Sequence, residues 1–479
     1  MQEIMERRQK TESESGRHAG EGSSALREAK ETTESIVIAF ILAFVFRAFI
    51  VEAFVIPTGS MAATLYGQHG TLICEDCGWE NAYGLNGDEE RAGRYGPDSR
   101  VLCQNCGHYN TNLKFHDGMR SGDRRLLGGN AESGDRILVF KWPFDVGAGR
   151  LGPERWDVTV FKNPANGDEN FIKRLVGLPG EVLEILDGDV YAAPASELTE
   201  NTLRTMGEFL HLKYRMRTSH VPNDDPEWAR LRDPMEAVLA ELANKLHIVR
   251  KSPAAQNPLW NVVYHHDYPP RELGDGQPFW NPDRGEGSRW STGDRCLRFS
   301  GATGGEGVVR YAGKAIVDHN SYNIDVPSSA WNPVSDLRLE TVVYPGAGDG
   351  WVELDLCKGE ECFAARLDAQ GRLTLTGHGE SGTTESGEVM GDTMVSPMGV
   401  GRPFELALEI LDYRAAVIVD RQEVLATTLA QFAPDIRTLR ERDPTPSRAP
   451  FIAAGGVDVE LRHVVLYRDA YYTAPYMRG

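Results

Sequence analysis

Two short segments carry side chains that could cooperate in nucleophilic catalysis. Residues 57–61 read Pro-Thr-Gly-Ser-Met, and the Pro and Gly predict a tight turn that presents the hydroxyl of Ser60. Lys173 lies in the strand-like run 171–176, where alternation places it on one face with apolar neighbours such as Phe171. A desolvated Lys has a lowered pKa, and its neutral amine can take a proton from a Ser hydroxyl. Each segment alone also fits an ordinary turn or an ordinary edge strand with solvated cations.

Cysteines form a second group whose spacing carries chemical meaning. Two Cys-x-x-Cys-Gly motifs contain Cys74, Cys77, Cys103 and Cys106. This pattern predicts a zinc ribbon, because four thiolates complete one tetrahedral structural site and leave no open position for catalysis. The alternative is a pair of disulfides, which an exported compartment would allow. Of the remaining cysteines, Cys357 and Cys362 could close a small disulfide loop and leave Cys296 free.

An apolar run near the N-terminus predicts a membrane anchor. Residues 36–46 are uninterrupted apolar, and the run continues through Ile56 with only two charged residues. A helix over 36–51 would measure about 24 Å, slightly less than a hydrocarbon core of about 30 Å, so Arg47 must extend to an interface. A buried core helix is the alternative, but a polar face is almost absent. We therefore assign residues 35–56 as a transmembrane signal-anchor.

The charges around this run predict its orientation. Lys and Arg recur in the polar tail 1–34, which we expect to be disordered, whereas none occurs between Arg47 and Arg91. The positive-inside rule then places the N-terminus in the cytoplasm and the rest of the chain on the exported side. A cleavable signal peptide is the alternative, but no small-residue cleavage site follows the run. The sequence thus predicts a single-pass protein of the cytoplasmic, or inner, membrane.

The order of four motifs after the anchor resembles that of bacterial type I signal peptidases. The motifs are Pro-Thr-Gly-Ser-Met at 57–61, Gly-Asp-Arg-Ile-Leu-Val at 134–139, Lys-Arg-Leu-Val-Gly-Leu-Pro-Gly at 173–180 and Leu-Asp-Gly-Asp-Val-Tyr at 186–191. The resemblance covers roughly residues 30–192 and implies a β catalytic core over 57–192, with the zinc ribbon inserted at about 70–112. It also implies that Ser60 is the nucleophile and Lys173 the general base. Thr58 and the backbone N–H of Ser60 would then stabilise the oxyanion.

This resemblance implies a membrane-bound serine endopeptidase that removes N-terminal signal peptides from exported preproteins through an acyl-enzyme. The substrate would lie extended against the region before Ser60 and the strand 136–140, with small side chains such as Ala near the cleavage point. The expected partners are preproteins and membrane lipid, and the catalytic step is expected to need no cofactor. Nucleic acid is not expected, because a formal net charge of −19 disfavours binding to phosphates.

The second half of the chain predicts a β-sandwich. Residues 193–275 hold one clear helical pattern, at about 226–250, and are assigned as a mixed helical connector. From 276 to 470, short alternating strands lie between turns rich in Gly, Asp and Asn. This spacing is typical of an antiparallel sandwich and loosely resembles the laminin-G or concanavalin-like jelly roll. Many members of that fold bind carbohydrate or protein, so such a ligand is a hypothesis here. The predicted fold class is mainly β.

One motif of the signal peptidases does not occur in its expected form. The family carries Gly-Asp-Asn followed by Ser-x-Asp-Ser-Arg, whose Ser and Asp orient the catalytic Lys. Gly391-Asp392 and Gly293-Asp294 begin similarly, but neither continues as required. Residues 471–479 look like the start of a return to the catalytic core, with the motif strand lost or not included. The second hypothesis is therefore an inactive or C-terminally truncated relative that acts as an envelope binding or scaffold protein.

Overall fold

The structure, a computed structural model, describes most of the chain. The described residues are 27, 29–84, 100–110, 130–141, 152–164, 167–219, 226–271, 278–283, 289–293, 295–322, 331–379 and 386–473. Most of the predicted disordered tail 1–34 lies outside them. The described residues divide into two compact units, of which the first holds residues up to Val55 together with part of 136–153. The second unit holds the remainder and contains both Ser60 and Lys173.

Helices are a minor part of the described structure. They are α1 Ala29–Ile50, α2 Glu200–Ser219, α3 Pro226–Ala243, α4 Pro253–Gln256 and α5 Ile436–Glu441. The helical pattern predicted over 226–250 ends earlier than expected, because His247–Ile248 forms a short strand. Helix α2 was not predicted, since most of its residues are polar and leave little apolar periodicity to detect.

The first twelve strands form small antiparallel sheets. They are β1 Val51–Val55, β2 His69–Ile73, β3 Glu80–Gly84, β4 Val101–Leu102, β5 Tyr109–Asn110, β6 Asn130–Glu132, β7 Arg136–Phe140, β8 Val158–Lys162, β9 Asn170–Arg174, β10 Glu181–Leu186, β11 Asp189–Pro194 and β12 His247–Ile248. The sheets have the orders β1-β7, β3-β2-β6, β4-β5, β8-β9 and β10-β11-β12. Lys173 lies on β9, in a hairpin-like pair with β8.

The first unit contains α1 and the β1-β7 sheet. Helix α1 is 22 residues long and apolar enough to be a candidate membrane span. With its polar first turns included, the whole helix measures about 33 Å, compared with a hydrocarbon core of about 30 Å. The helix expected over 36–51 ends at Ile50, one residue earlier, and residues 51–55, which belong to the assigned anchor 35–56, form β1 and pair in register with β7. Arg47 lies in the last turn, where a long cation can extend to the membrane interface.

Thirteen further strands form one antiparallel sheet that bends into two layers. They are β13 Asn261–His265, β14 Trp280–Pro282, β15 Trp290–Ser291, β16 Cys296–Phe299, β17 Glu306–Tyr311, β18 Leu337–Lys358, β19 Glu361–Asp368, β20 Arg372–Gly379, β21 Glu388–Met394, β22 Phe404–Ile410, β23 Ala415–Val419, β24 Gln422–Ala426 and β25 Phe451–Arg468. The mainly β prediction is confirmed. Strand β13 already pairs with β25, so this sheet includes residues before the predicted boundary at 276.

The long strands β18 and β25 pass from one layer into the other. The first part of β18 pairs with β22, and the part from Trp351 onward pairs with β19. The register between β18 and β25 shifts around Gly348, whose φ of 111° favours Gly over residues with a side chain. Buried residues on both parts, including Leu339 and Leu354, share one hydrophobic core. The predicted disulfide between Cys357 and Cys362 links β18 to β19, and Cys296 is not part of a disulfide.

Buried ion pairs connect the β10-β11 hairpin to the sandwich. Lys358 on β18 lies 3.0 Å from Asp189 on β11 and also contacts Asp336. Lys251, after β12, makes a similar contact of 3.1 Å with Asp469, just after β25. Removing one partner of a buried pair leaves an uncompensated charge and typically costs about 3–5 kcal/mol. The pairs therefore hold these segments of the predicted catalytic region and the sandwich in one arrangement.

The chain after β25 also contacts this hairpin. The backbone N–H of Tyr472 donates a hydrogen bond of 3.2 Å to the carbonyl oxygen of Gly188. The Tyr472 ring lies 5.8 Å from the ring of Trp156, which precedes β8. Residues 471–473 thus return to the predicted catalytic region, whereas residues 474–479 lie outside the described part of the chain.

Candidate active site

The structure brings the two predicted catalytic residues together. The Nζ atom of Lys173 lies 2.7 Å from the Oγ atom of Ser60, which is hydrogen-bonding distance. Nζ also lies 2.8 Å from the carbonyl oxygen of Ile172, which fixes the direction of the Lys side chain. Both residues are exposed, so a substrate can reach the hydroxyl. A nucleophile and a base at this distance are arranged for proton transfer from Ser60 to Lys173.

The surroundings of Lys173 favour its neutral form. Partial burial lowers the pKa of Lys173 below its ordinary value. The ring of Phe171 lies 5.8 Å from Nζ, where it covers the amine but also weakly attracts its charged form, so burial is the cause of the lowered pKa. Among the described residues, no carboxylate forms an ion pair with Lys173, so no anion there opposes this desolvation. The environment of Lys173 is thus consistent with the prediction from the sequence that this residue can act as a base.

The neighbouring cation, Arg174, points away from the nucleophile and has a structural role. Its guanidinium donates a hydrogen bond of 2.7 Å to the carbonyl oxygen of Trp156 and one of 3.4 Å to the hydroxyl of Thr64. Thr64 in turn donates to the carbonyl oxygen of Pro258. Arg174 therefore connects β9 to the turn that follows Ser60, and alternation along the strand leaves Lys173 on the side of the hydroxyl.

The segment around Ser60 is a tight turn, as predicted from its Pro and Gly. The N–H of Ala62 donates to the carbonyl oxygen of Gly59 at 2.9 Å, and the N–H of Leu65 donates to that of Met61 at the same distance. Thr58 lies two residues before Ser60 and is exposed. The contribution of Thr58 and of the Ser60 N–H to an oxyanion site stays a prediction.

The Gly134-Asp135 pair holds the two ends of this turn together. The Asp135 carbonyl oxygen accepts from the N–H of Ile56, and its carboxylate accepts from the N–H of Tyr66 at 2.7 Å. A side chain at position 134 would lie only 1.8 Å from the carbonyl oxygen of Ile56, so only Gly allows this approach. The Gly-Asp motif at 134–135 therefore holds in place the turn that carries Ser60, residues 56–66, which is called the nucleophile turn below.

Tyr322 supports the nucleophile turn from a distant part of the chain. Its ring packs so closely on Gly59 that a Cβ atom there would lie 1.9 Å from the ring. The same ring lies 5.6 Å from that of Tyr66, and its hydroxyl donates to the carbonyl oxygen of Gln68. Sequence reasoning missed this residue. Its only signal is the pair of glycines, Gly59 and Gly84, that make room for the ring.

The four predicted zinc ligands also converge. Their Sγ atoms all lie within 4.8 Å of one another, and all four are free thiols. Gly78 and Gly107, which follow the two pairs, have φ values of 78° and 76°, which explains the Gly in each motif. The side-chain amide of Asn81 and the backbone N–H of Trp79 point at sulfur atoms of the cluster. Residues 74–78 and 103–107 are called the cysteine module below.

The cysteine module is bound to the segment that carries Tyr322. Gln104 donates to the carbonyl oxygens of Val262 and His319, at 3.1 and 3.3 Å, and accepts from the N–H of Ser321 at 3.0 Å. Lys314 also donates to the carbonyl oxygen of Gln104. The module therefore fixes residues directly before Tyr322.

Comparison with solved structures returns lectin- and glucanase-like proteins. A carbohydrate-binding module from Bacillus subtilis has a TM-score of 0.27 and 12% identity, covering 40% of this chain and 96% of its own. An endo-beta-1,3-glucanase from Pyrococcus furiosus has a TM-score of 0.30 and 9% identity, covering 45% of this chain and 98% of its own.

Comparison with protein families and with curated proteins finds similarity to signal peptidases in the predicted catalytic region. The family described as signal peptidase, peptidase S26, matches residues 128–224, which include Lys173. Signal peptidase I of Rickettsia bellii is 26% identical over 161 residues, or 33% of this chain and 37% of the relative. That of Rickettsia massiliae is 26% identical over 172 residues, or 35% and 45%. The matches thus span less than half of these relatives. They support a relationship with type I signal peptidases.

The packing of Tyr322 generates a prediction about the nucleophile. Tyr322→Ala should lower kcat for cleavage of a signal-peptide substrate by about ten- to a hundredfold with a smaller change in KM, because a displaced turn misaligns Ser60. Tyr322→Phe keeps the ring and should stay near the wild-type rate.

Tyr344→Ala is the matched control, since that ring packs against Arg462 in the sandwich at 4.8 Å and not on the nucleophile turn. Equal losses in the Tyr344 and Tyr322 variants would contradict the positioning role.

Proposed function

We propose that this chain is a membrane-anchored serine endopeptidase that cleaves signal peptides from exported preproteins. The observation that carries the proposal is the 2.7 Å contact between Lys173 Nζ and Ser60 Oγ. The similarity of the region around Lys173 to signal peptidases supports the choice of substrate class. The candidate span α1 supports an anchor, with the N-terminus in the cytoplasm and the catalytic region on the exported side.

The proposed reaction is acyl transfer in two steps. Neutral Lys173 takes the proton of Ser60 as Oγ attacks the carbonyl carbon at the end of the signal peptide. The peptide C–N bond breaks, Lys173 returns the proton to the leaving amine, and the signal peptide stays on Ser60 as an ester. Water, deprotonated by Lys173, then hydrolyses the ester and restores the hydroxyl. Thr58 and the N–H of Ser60 are proposed to stabilise the oxyanion in both steps.

Exposed aromatic side chains near Lys173 fit a substrate delivered from a membrane. Phe161 and Phe171 are 40% and 37% exposed and pack edge-to-face at 6.1 Å. We propose that this apolar pair meets lipid or the apolar part of the signal peptide. The residues before the cleavage point are proposed to bind in extended form near Ser60, with small side chains such as Ala preferred.

The dyad is tested by substituting each member. Ser60→Ala and Lys173→Met should each lower cleavage of a preprotein with an Ala-x-Ala site by at least about a thousandfold, since nucleophile and base act as one unit. Lys162→Met is the matched control, because Lys162 is an exposed Lys on the partner strand β8. The measurement uses purified full-length protein in detergent, with circular dichroism to verify folding.

The alternative, a catalytically inactive scaffold, would be favoured by a folded wild-type protein that does not cleave. Asp392, one candidate for the missing motif, lies on β21 and pairs with Arg372, so it does not serve Lys173. Loss of cleavage in the Lys162 variant, or cleavage that survives both dyad substitutions, would contradict the proposed mechanism.

We also propose that the cysteine module holds one structural zinc ion. Four sulfur donors with amide groups directed at them match the donor set of a closed zinc site. Such an ion would hold Gln104, and through it the segment before Tyr322, without taking part in the reaction. Binding of a ligand by the sandwich is a separate proposal, which is developed below for carbohydrate.

Metal analysis tests the zinc proposal. Wild-type protein should contain about one zinc per chain, and Cys103→Ser should lose it and melt at a lower temperature, because structural zinc contributes directly to folding free energy. Cys296→Ser is the matched control, since Cys296 is buried and not disulfide-bonded but lies outside the module. Absence of metal, or disulfides among the four cysteines in mass spectra of non-reduced peptides, would contradict the proposal.

A further inference from the structure

A cleft of about 480 Å³ lies on the outer face of one sandwich layer. Its floor comes from β18 and β22, and one wall comes from the segment between β12 and β13, which includes Trp260. Alternation explains the floor, because Leu337 and Leu339 point into the core whereas Arg338 and Glu340 point into the cleft. This volume is in the range of small-molecule sites in proteins, about 300–1,000 Å³.

The charged residues of the cleft neutralise one another. Arg338 lies 2.7 Å from Glu340 and 3.3 Å from Glu409. Arg421 meets Glu405 through two bonds of 2.9 Å, and Arg414 meets Glu423 in the same two-bond manner. The lining contains five cations and five anions: Lys251 pairs with the Asp412 carboxylate, and Arg250 donates to the backbone carbonyl oxygens of Asp412 and Tyr413. The cleft therefore offers no net charge to a phosphate, a metal ion or a strongly acidic peptide.

Paired carboxylates and guanidiniums still have hydrogen-bonding capacity. A carboxylate accepts about four hydrogen bonds and a guanidinium donates five, so an ion pair of two bonds leaves acceptors and donors unused. A neighbouring acceptor and donor suit a hydroxyl group, which donates one hydrogen bond and accepts others. A series of such pairs therefore suits a neutral ligand with several adjacent hydroxyls.

Trp260 adds an apolar surface beside these polar groups. It is half-buried, and Leu411 and Ile418 also line the cleft. An indole ring combines a large apolar face with one N–H donor, so it can pack against C–H groups while its edge stays polar. A sugar ring presents both kinds of surface, C–H groups on its face and hydroxyls at its edge.

We propose that this cleft is a binding site for a neutral oligosaccharide, with Trp260 stacking on a sugar ring and the Arg–Glu pairs binding its hydroxyls. The proposal states which class of ligand the sandwich binds and where on the sandwich it binds. It is independent of the dyad, because a chain without peptidase activity would keep the cleft.

Binding is measured by calorimetry with full-length protein in detergent. The probes are neutral tetrasaccharides of glucose, mannose, galactose and N-acetylglucosamine, with inorganic phosphate and an acidic peptide as charged comparators. At least one tetrasaccharide should bind, and the charged probes should not. Trp260→Ala should raise Kd by about tenfold or more, because aromatic packing contributes beyond simple area burial. Glu409→Gln should also raise Kd while it retains the shape of the side chain.

The matched control is Trp351→Ala. Trp351 also lies beside an Arg–Glu pair, since Arg366 stacks on its ring at 3.9 Å and bonds Glu353, but it belongs to the other layer. Thermal melts of every variant separate lost binding from lost folding. The proposal is overturned if no neutral tetrasaccharide binds, if the charged probes bind instead, or if Trp351→Ala weakens binding as much as Trp260→Ala. It is also overturned if both cleft variants bind like the wild type.

Discussion

The contact between Lys173 Nζ and Ser60 Oγ is the interaction on which the rest of the account depends. This contact can support catalysis only if the amine is neutral. Burial without a nearby anion lowers the pKa of Lys173 and so makes the neutral amine easier to form. A β-strand supplies the Lys and a tight turn supplies the Ser, so their separation is set by how β9 and the turn are held. The hydrogen bonds of Arg174 make this connection directly.

The nucleophile turn is held by residues that are far apart in the chain. Asp135 joins its two ends, and Tyr322 packs on its glycine. Tyr322 follows a segment that is bonded to Gln104 of the cysteine module. The cysteine module is therefore linked to the turn of Ser60 through the hydrogen bond between Gln104 and Ser321 and the packing of Tyr322 on Gly59. We propose that this link gives the module a mechanical role in positioning Ser60.

The sequence predicted which side chains lie together better than what holds them there. Ser60 with Lys173, and the four cysteines with one another, could be selected because local motifs contain them. The ring of Tyr322 and the cleft beside Trp260 were not predicted, because they arise where segments distant in sequence meet. Helix α2 was missed because its residues are mostly polar, and strand β1 was not distinguished from the anchor 35–56 because an apolar run does not separate a helix from a following strand. The mainly β fold was predictable from its alternating strands.

The pH dependence of preprotein cleavage tests the central claim most directly. The base must be neutral, so kcat/KM should rise with pH, about tenfold per unit, and level off above the pKa of Lys173. Because burial lowers that pKa, the midpoint should lie below the ordinary Lys value of about 10.4. A flat profile, or a midpoint at the ordinary value, would contradict a desolvated Lys173 as the general base.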